Sequence, residues 1–278
     1  MLLVQSFLKA SSTGGSGLGD FIRGSFRCLQ ICNQFKYDFT ISLKDHPIKS
    51  HFKPSPHARS FDYNIKTRDL FQKYQRKDQF EAYLRNQNRI ARRRRSYDSV
   101  IVICSNLLLD ASTITAEERS IISSFFEFTE ETRDKVSFEL IENNTDYECI
   151  HVRCGDYIAF NHNSHLKSGH ETIDEIYKNI KDKIVSILDN TSKPVVLLSD
   201  SKEIRDKLSS ELNIVSPKTN TYHSAFYDGD YIDLLKDLHI LRNCSKIYQL
   251  TNSFHWWGSS FSQIATYLDD VPIVQLKY

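Results

Sequence analysis

The chain has 278 residues, of which 40% are hydrophobic and 26% charged, and its formal net charge is +1. This composition excludes a wholly disordered chain, and the near-zero charge excludes a global field that would recruit nucleic acid or an anionic membrane. The length suits two domains of ordinary size, each with its own hydrophobic core.

Apolar strand segments alternate with amphipathic helical segments, which is typical of α/β proteins with parallel sheets. Strands are predicted at residues 2–8, 37–43, 99–104, 148–153, 194–199, 246–251 and 273–276. Helices are predicted at residues 19–35, 67–92, 115–126, 129–138, 172–189, 202–212, 230–242 and 260–268. A polar, turn-rich stretch at 142–146 predicts the domain boundary, which gives an N-terminal domain at 1–145 and a C-terminal domain at 146–278.

The first apolar segment, residues 2–8, is expected to be a strand and not a secretion signal. It has no basic residues before it, Gln5 and Ser6 interrupt it, and it is far shorter than the ~20 residues of a membrane span. No other segment is long and apolar enough to cross a bilayer, so we expect a cytoplasmic protein without a membrane span.

Metal binding is not predicted. The cysteines lack zinc-ligand spacing and are expected to be free thiols; they are Cys28, Cys32, Cys104, Cys149, Cys154 and Cys244. The one Asp-x-Asp, at residues 228–230, precedes a predicted helix and is better explained as a turn and cap than as a Mg²⁺ or Mn²⁺ ligand pair.

A glycine-rich loop, GGSGLGD at residues 14–20, follows the first predicted strand. Gly15, Gly17 and Gly19 lie in this loop. Asp20, at its end, has two interpretations of equal weight: an N-cap for the following helix, or a functional carboxylate.

Four consecutive arginines at residues 92–95, with Arg85 and Arg89 upstream, raise the hypothesis of nucleic-acid binding. The arginines point all around a helix, and no aromatic residues are interleaved for base stacking. A solvated, positively charged helix end explains the cluster better, so we predict no nucleic-acid partner. An anionic acceptor stays open as a further alternative.

The heptapeptide HVRCGDY at residues 151–157 ends a buried strand in an arginine followed by a glycine. Arg153 at such a strand end can hold an anion with its forked guanidinium, and Gly155 lets the backbone turn. Its alternative is a surface ion pair. A second polar elbow, NSFH at residues 252–255, offers backbone N–H groups and a hydroxyl for an anion, with a plain helix cap as its alternative.

The order and spacing of these segments resemble the fucosyltransferase superfamily that contains the α1,2-, α1,6- and protein O-fucosyltransferases. HVRCGDY at 151–157 resembles the family's HxRRGDY motif, and VVLLSDSKE at 195–203 resembles its strand ending in Ser-Asp. DLH at 237–239 followed by NSFHWW at 252–257 resembles its Asp-Leu segment and NSSFSWW. The glycine loop is a looser match, with Asp20 in place of an asparagine.

The resemblance implies a GT-B-like α/β fold, with two Rossmann-like domains facing each other across a cleft, and inverting transfer of a sugar to a glycan hydroxyl. The N-terminal domain would be the acceptor side and the C-terminal domain would bind the nucleotide sugar, GDP-fucose, without a metal. Arg153 would stabilise the leaving diphosphate, and Asp20, with Asp45 in reserve, would be the base. The other residues implied at the donor or cleft are His151, Asp200, Asp237, Asn252, Ser253, Phe254, His255, Gly15, Gly17 and Gly19.

Within this assignment Asp237 would accept hydrogen bonds from the base of the nucleotide, and His151 would flank the base or ribose. Cys154 replaces the family's second arginine, which keeps other donors open, including UDP-xylose and GDP-linked deoxysugars. A catalytically silent carbohydrate-binding protein of the same fold is the alternative from a different functional class.

Overall fold

The computed structural model describes residues 2–7, 17–44, 46–60, 81–82, 85–86, 100–103, 109–154, 173–220, 231–252 and 259–278. The chain divides into two compact units, one of Met1–Asp134 with Tyr267–Asp269, and one of Lys135–Thr266 with Asp270–Tyr278. The division after Asp134 comes ahead of the boundary expected at 145–146. The acceptor-side and donor-side roles of the two halves stay predictions.

The first unit contains a parallel sheet of order β2-β1-β3, formed by β1 (Leu2–Ser6), β2 (Asp38–Ser42) and β3 (Val100–Ile103). Helix α1 (Leu18–Phe35) connects β1 to β2, as a parallel pair requires. Its apolar stripe is buried, and Phe21 stacks on Phe7 with ring centroids 4.5 Å apart. Helix and sheet therefore share one core.

The described part of the first unit also has helices α2 (Ala116–Ser123) and α3 (Glu130–Lys135) after β3. Short 3₁₀ turns lie at Pro47–His51, between β2 and β3, and at Ala111–Thr113 and Ser124–Phe126. Thr115 begins α2 with the capping box that the sequence indicates: its hydroxyl accepts from the Glu118 amide, and the Glu118 carboxylate accepts from the Thr115 amide. A helix is predicted at 129–138, but the observed helix α3 ends at Lys135. Phe138 is extended and caps the separate one-turn helix α4 (Glu139–Glu142), which lies in the second unit.

The second unit is built on a four-stranded parallel sheet of order β5-β4-β6-β7. Its strands are β4 (Glu148–Arg153), β5 (Val195–Ser199), β6 (Lys246–Thr251) and β7 (Ile273–Lys277). Its longer helices are α5 (Ile173–Leu188), α6 (Lys202–Leu212), α7 (Ile232–Asn243) and α8 (Ser260–Asp269). Strands β4 and β6 and helix α6 have the bounds that the sequence predicts.

Both faces of this sheet are covered, which explains why its strands are almost continuously apolar. Ile150 and Val152 of β4 pack in a cluster with Ile180 of α5 and Leu208 of α6. Cys149 of β4, on the opposite face, packs in a second cluster with Ile240 and Leu241 of α7 and Ala265 of α8, and the partly buried Phe261 of α8 packs against this cluster. The described sheet is thus a doubly wound layer with α5 and α6 on one side and α7 and α8 on the other.

A short segment after α6 pairs with β5, the strand at one edge of the sheet. Val215 forms a single parallel bridge with Val196 of β5, and the Leu197 amide donates to the Val215 carbonyl over 2.9 Å. Pro217 follows two residues later. The loop after α6 therefore runs along β5 before it turns toward α7.

Among the described residues, none of the helices has the combination of length and apolarity that a bilayer crossing needs. The predicted helix at 67–92 falls largely outside the described residues, as does the arginine run at 92–95. Of this region, Arg85 is exposed, pairs with Glu81 at 3.3 Å and lies 5.6 Å from the Phe35 ring centroid.

Candidate functional site

The second unit has its topological switch point between β4 and β6. The chain leaves β4 for β5 on one side and later returns to β6 on the other side, so the connections diverge above the carboxyl ends of β4 and β6. Such a divergence opens a crevice at the carboxyl edge, where ligands of parallel α/β sheets bind. Arg153 ends β4 and is in register with Thr251, which ends β6. Both side chains therefore begin at the edge of this crevice.

Asp200 fixes the Arg153 guanidinium. Nη1 of Arg153 lies 2.9 Å from Oδ2 of Asp200, and the side chains are only 20% and 15% exposed. The other carboxylate oxygen, Oδ1, accepts a hydrogen bond of 2.7 Å from the Cys154 amide. Because both oxygens of Asp200 bind the end of β4, this carboxylate orients the arginine across two strand ends. The sequence predicts both residues at the site but not their pairing.

Cys154 is buried beside this pair. Its sulfur lies 3.6 Å from the Ser199 hydroxyl, and the Ser199 hydroxyl also accepts from the Ser201 amide. Burial raises the pKa of the Cys154 thiol far above its usual value, so the thiol is neutral. No positive charge therefore comes from the position next to Arg153.

His151 lies two residues before Arg153 and is buried. Burial lowers its pKa to about 4, so the imidazole is neutral at neutral pH. Its ring centroid is 6.0 Å from that of Phe261, in the first turn of α8, and among the described residues its Nδ1 has no hydrogen-bond partner. Gln249, its register partner on β6, donates to the Ser259 carbonyl and the Ser262 hydroxyl. This amide ties β6 to the start of α8.

Asp237 is buried on α7 at the end of a hydrogen-bonded relay that the sequence analysis missed. Nη1 of Arg205 donates to the Thr219 hydroxyl over 2.9 Å, and that hydroxyl donates to Oδ1 of Asp237 over 2.9 Å. Arg205 is only 1% exposed. Arg205 follows Ile204 and lies three residues before Leu208, on the apolar stripe of α6. An arginine on an apolar stripe is the sequence feature that could have predicted a buried guanidinium.

The Asp237 carboxyl has a shifted pKa. Burial raises it to about 7, against the hydrogen bond from Thr219 and the charge of Arg205, which lower it. On the same loop and helix, the amide and side-chain nitrogens of Asn220 donate to Asp233 at 2.9 and 3.0 Å. The loop after α6 is therefore held against α7 at two points.

The glycine-rich segment differs from expectation. Helix α1 begins at Leu18 with Gly17 as its N-cap. Gly19 therefore lies inside the helix, as the range predicted for that helix has it, and not in the loop with Gly15 and Gly17. Asp20 is in the first turn and is not the N-cap; its Oδ1 accepts a hydrogen bond of 2.9 Å from Arg23. Its role as a base stays a prediction. Gly15 and Asp45 lie outside the described residues.

The polar elbow is described only at its first residue. Asn252 is buried directly after β6, while Ser253, Phe254 and His255 lie outside the described residues. Helix α8 begins at Ser260 with Ser259 at its N-cap, so Asn252 does not cap the helix. The carboxyl edge thus carries Arg153 and Asn252 on the two strands that flank the switch point.

Metal ligands do not gather in the described ranges, where no three His, Cys, Asp or Glu side chains come together. The Asp-x-Asp at 228–230 and Cys104 lie outside them. The other five cysteines are buried free thiols, as the sequence predicts. Metal independence stays a prediction.

No protein-family model matches the sequence, and no curated protein matches it. Solved structures do. The α1,6-fucosyltransferase NodZ soaked with GDP-fucose matches at 14% identity and a TM-score of 0.53, covering 99% of this chain and 94% of NodZ. NodZ from Bradyrhizobium in another crystal structure matches at 14% and 0.52, covering 99% and 95%. A mutant of Arabidopsis thaliana FUT1 in complex with GDP matches at 11% and 0.54, covering 99% of this chain and 70% of FUT1.

At these identities the likeness shows a shared fold. The parallel α/β architecture of both units is that of the GT-B fucosyltransferases, which confirms the predicted fold class and the resemblance at the level of the fold.

Proposed function

We propose that this protein is an inverting glycosyltransferase that transfers fucose from GDP-fucose to a hydroxyl of a glycan acceptor. The observation that carries the proposal is Arg153, held by Asp200 at the end of β4, beside the switch point of a fucosyltransferase-like sheet. The neighbours NodZ and FUT1 were solved with GDP-fucose and GDP, which supports a guanosine nucleotide as the donor.

The chemistry asks for positive charge where the leaving group gains negative charge. As the bond between the sugar and the β-phosphate breaks, charge builds on the phosphate oxygens, and a fixed guanidinium stabilises them without reorganising. Arg153 is always charged, and Asp200 restricts its orientation. In our proposal Arg153 binds the β-phosphate, and Asn252 and the elbow at 253–255 bind the remainder of the diphosphate.

Base selection is assigned to Asp237. A fixed carboxylate can accept hydrogen bonds from N1–H and N2–H of guanine, whereas it repels the carbonyl oxygens of uracil. Thr219 and Arg205 fix one carboxylate oxygen. The neutral His151, buried and near the start of α8, is proposed to pack against the base or ribose.

On the acceptor side, we propose Asp20 as the carboxylate that receives the proton of the attacking hydroxyl. Its ion pair with Arg23, at 2.9 Å, holds the carboxylate in one direction before the acceptor arrives. A soluble, metal-independent, cytoplasmic enzyme is our expectation for its setting.

Donor hydrolysis tests the assignment of Arg153. Without an acceptor, enzymes of this type release the nucleoside diphosphate slowly, and Arg153→Ala should abolish release of GDP while the exposed control Arg133→Ala retains it. Unchanged turnover in Arg153→Ala would defeat the assignment.

Thermal melts with GDP, UDP, CDP and ADP test the donor class, since a ligand of the native state raises its melting temperature in step with its affinity. We expect the largest rise with GDP. A rise with UDP alone discards fucose transfer from GDP-fucose and leaves a transferase with another donor, and no rise with any of the four favours a silent carbohydrate-binding protein.

A further inference from the structure

Three strands of the second unit end in register at the carboxyl edge of the sheet. Arg153 of β4 pairs with Thr251 of β6, and Thr251 pairs with Lys277 of β7. Register partners on neighbouring strands project to the same face and lie about 4.8 Å apart. The backbones of Arg153 and Lys277 are therefore about 10 Å apart on one face, with a single strand between them.

The Lys277 side chain extends toward β6. Its Nζ donates a hydrogen bond of 2.7 Å to the Thr251 hydroxyl. The next residue, Tyr278, crosses farther, and its hydroxyl donates to the Arg153 carbonyl over 2.9 Å. The side chains at the end of β7 thus reach the ends of β6 and β4, and the ammonium lies at Thr251, one strand away from Arg153.

Helix α8 lies on this same face of the sheet. Ala265 and Phe261 of α8 pack in the cluster that contains Cys149. Cys149 and Arg153 are four residues apart on β4 and therefore project to the same face of the sheet. The start of α8, which Gln249 ties to β6, carries the partial positive charge of a helix N-terminus. Arg153, Lys277 and the start of α8 therefore belong to the same face of the sheet, at its carboxyl edge.

Among the described residues next to Arg153, the side-chain charges cancel. Arg153 and Asp200 form a pair of zero net charge, the Cys154 thiol is neutral, and the His151 imidazole is neutral at neutral pH. A nucleoside diphosphate carries two or more negative charges on its phosphates. Lys277 is exposed, but the desolvation that remains at this strand end lowers its pKa, and an anion placed against the ammonium would stabilise the charge.

We propose that Lys277 is a second phosphate-binding residue of the donor site, whose ammonium contacts the β-phosphate of the nucleoside diphosphate from the side opposite Arg153. This inference rests on the proposed function and adds a residue to it. Lys277 supplies the net positive charge that the Arg153–Asp200 pair lacks. It also stabilises the leaving diphosphate as the bond to the sugar breaks.

The experiment compares GDP with GMP, which lacks the β-phosphate, by calorimetric titration. The variants are Lys277→Met, which removes the charge and keeps the length, and Lys277→Arg, which keeps the charge. Lys246→Met is the matched control, because Lys246 begins β6 at the opposite edge of the same sheet, where its Nζ contacts the Tyr248 hydroxyl.

We expect Lys277→Met to weaken GDP binding by about tenfold or more, the size of a lost charged hydrogen bond, and to change GMP binding by less than about threefold. Lys277→Arg and Lys246→Met should stay close to wild type. Equal weakening of GDP and GMP would overturn a contact with the β-phosphate. Unchanged GDP binding in Lys277→Met overturns the inference on Lys277 alone if Arg153→Ala still weakens it. Absence of GDP binding in the wild type overturns the proposed function.

Discussion

Replacing Asp237 by asparagine should stabilise the protein at neutral and alkaline pH while it weakens nucleotide binding. In the folded chain the carboxyl is buried and its pKa lies near 7, whereas its ordinary value is 3.8. The folded state therefore holds a proton that the unfolded state has already released between these two values. Stability is lost as the pH rises through this window, and the loss is complete above about pH 7.

The magnitude follows from the width of the window. A difference of one pH unit between the folded and unfolded pKa of a group corresponds to about 1.4 kcal/mol, so ionised Asp237 lowers the free energy of unfolding by as much as about 4 kcal/mol above pH 7. Asparagine keeps the side-chain oxygen that accepts from Thr219 but carries no charge. For a unit of this size the gain corresponds to roughly 10 °C in Tm.

The assay is a series of thermal melts between pH 4 and pH 8.5 on the wild type, Asp237→Asn and the control Asp182→Asn, whose carboxyl is exposed on α5. The Tm difference between Asp237→Asn and wild type should be small at pH 4 and grow steadily toward pH 7. GDP affinity of Asp237→Asn should fall, because an amide presents a donor where guanine also donates. Parallel Tm curves for the wild type and Asp237→Asn would refute the reasoning.

Three further outcomes are expected. Thr219→Val removes the hydroxyl that links Arg205 to Asp237. It should lower the free energy of unfolding in urea by about 1–3 kcal/mol and raise the pKa of Asp237 in a carboxyl NMR titration. Thr219→Ser should keep the stability and the Asp237 pKa of the wild type. Lys36→Gly should raise the free energy of unfolding by about 0.5–1 kcal/mol, since Lys36 ends α1 at a φ of 57°. Cys149 and Cys154 should resist iodoacetamide in the native protein at pH 8 and react in urea, as mass spectrometry would show, because burial raises the pKa of both thiols.

Each has a contrary result. Equal losses in Thr219→Val and Thr219→Ser would show that shape and not the hydroxyl matters. A lower free energy of unfolding in Lys36→Gly would show that the Lys36 side chain stabilises the fold by more than its left-handed backbone destabilises it. Rapid native alkylation of either cysteine would show that the thiol reaches solvent.

The strands of the second unit could be predicted because the residue pattern that favours them lies within a few consecutive residues. The apolar run that ends in Arg153 and the one that ends in Thr251 each combine β-branched residues with a polar stop, and two covered faces require that pattern. The helix at 129–138 could not be bounded this way. Its break at Phe138 comes from an extended residue between two short helices, and the helical period of the sequence does not reveal it.

The contacts inside the candidate site were harder to predict than its members. Arg153, Asp200 and Asp237 were identified from motifs, but the ion pair of the first two depends on β4 and β5 lying side by side. The Arg205–Thr219–Asp237 relay joins residues 14 and 18 positions apart, on a helix, a loop and another helix. Only the three-dimensional packing of these elements brings such side chains together.

The single bridge between Val196 and Val215 also bears on how this protein behaves at high concentration. An open outer strand offers a foreign chain a row of unsatisfied amides and carbonyls, and this is how β-sheet proteins polymerise edge to edge. Here the loop forms a backbone bridge with β5 at Val196, and Pro217, which has no amide hydrogen, cannot donate a further hydrogen bond to the ladder. The loop therefore hinders a second molecule from pairing with β5. The segment that carries Thr219 thus also opposes edge-to-edge self-association of the protein.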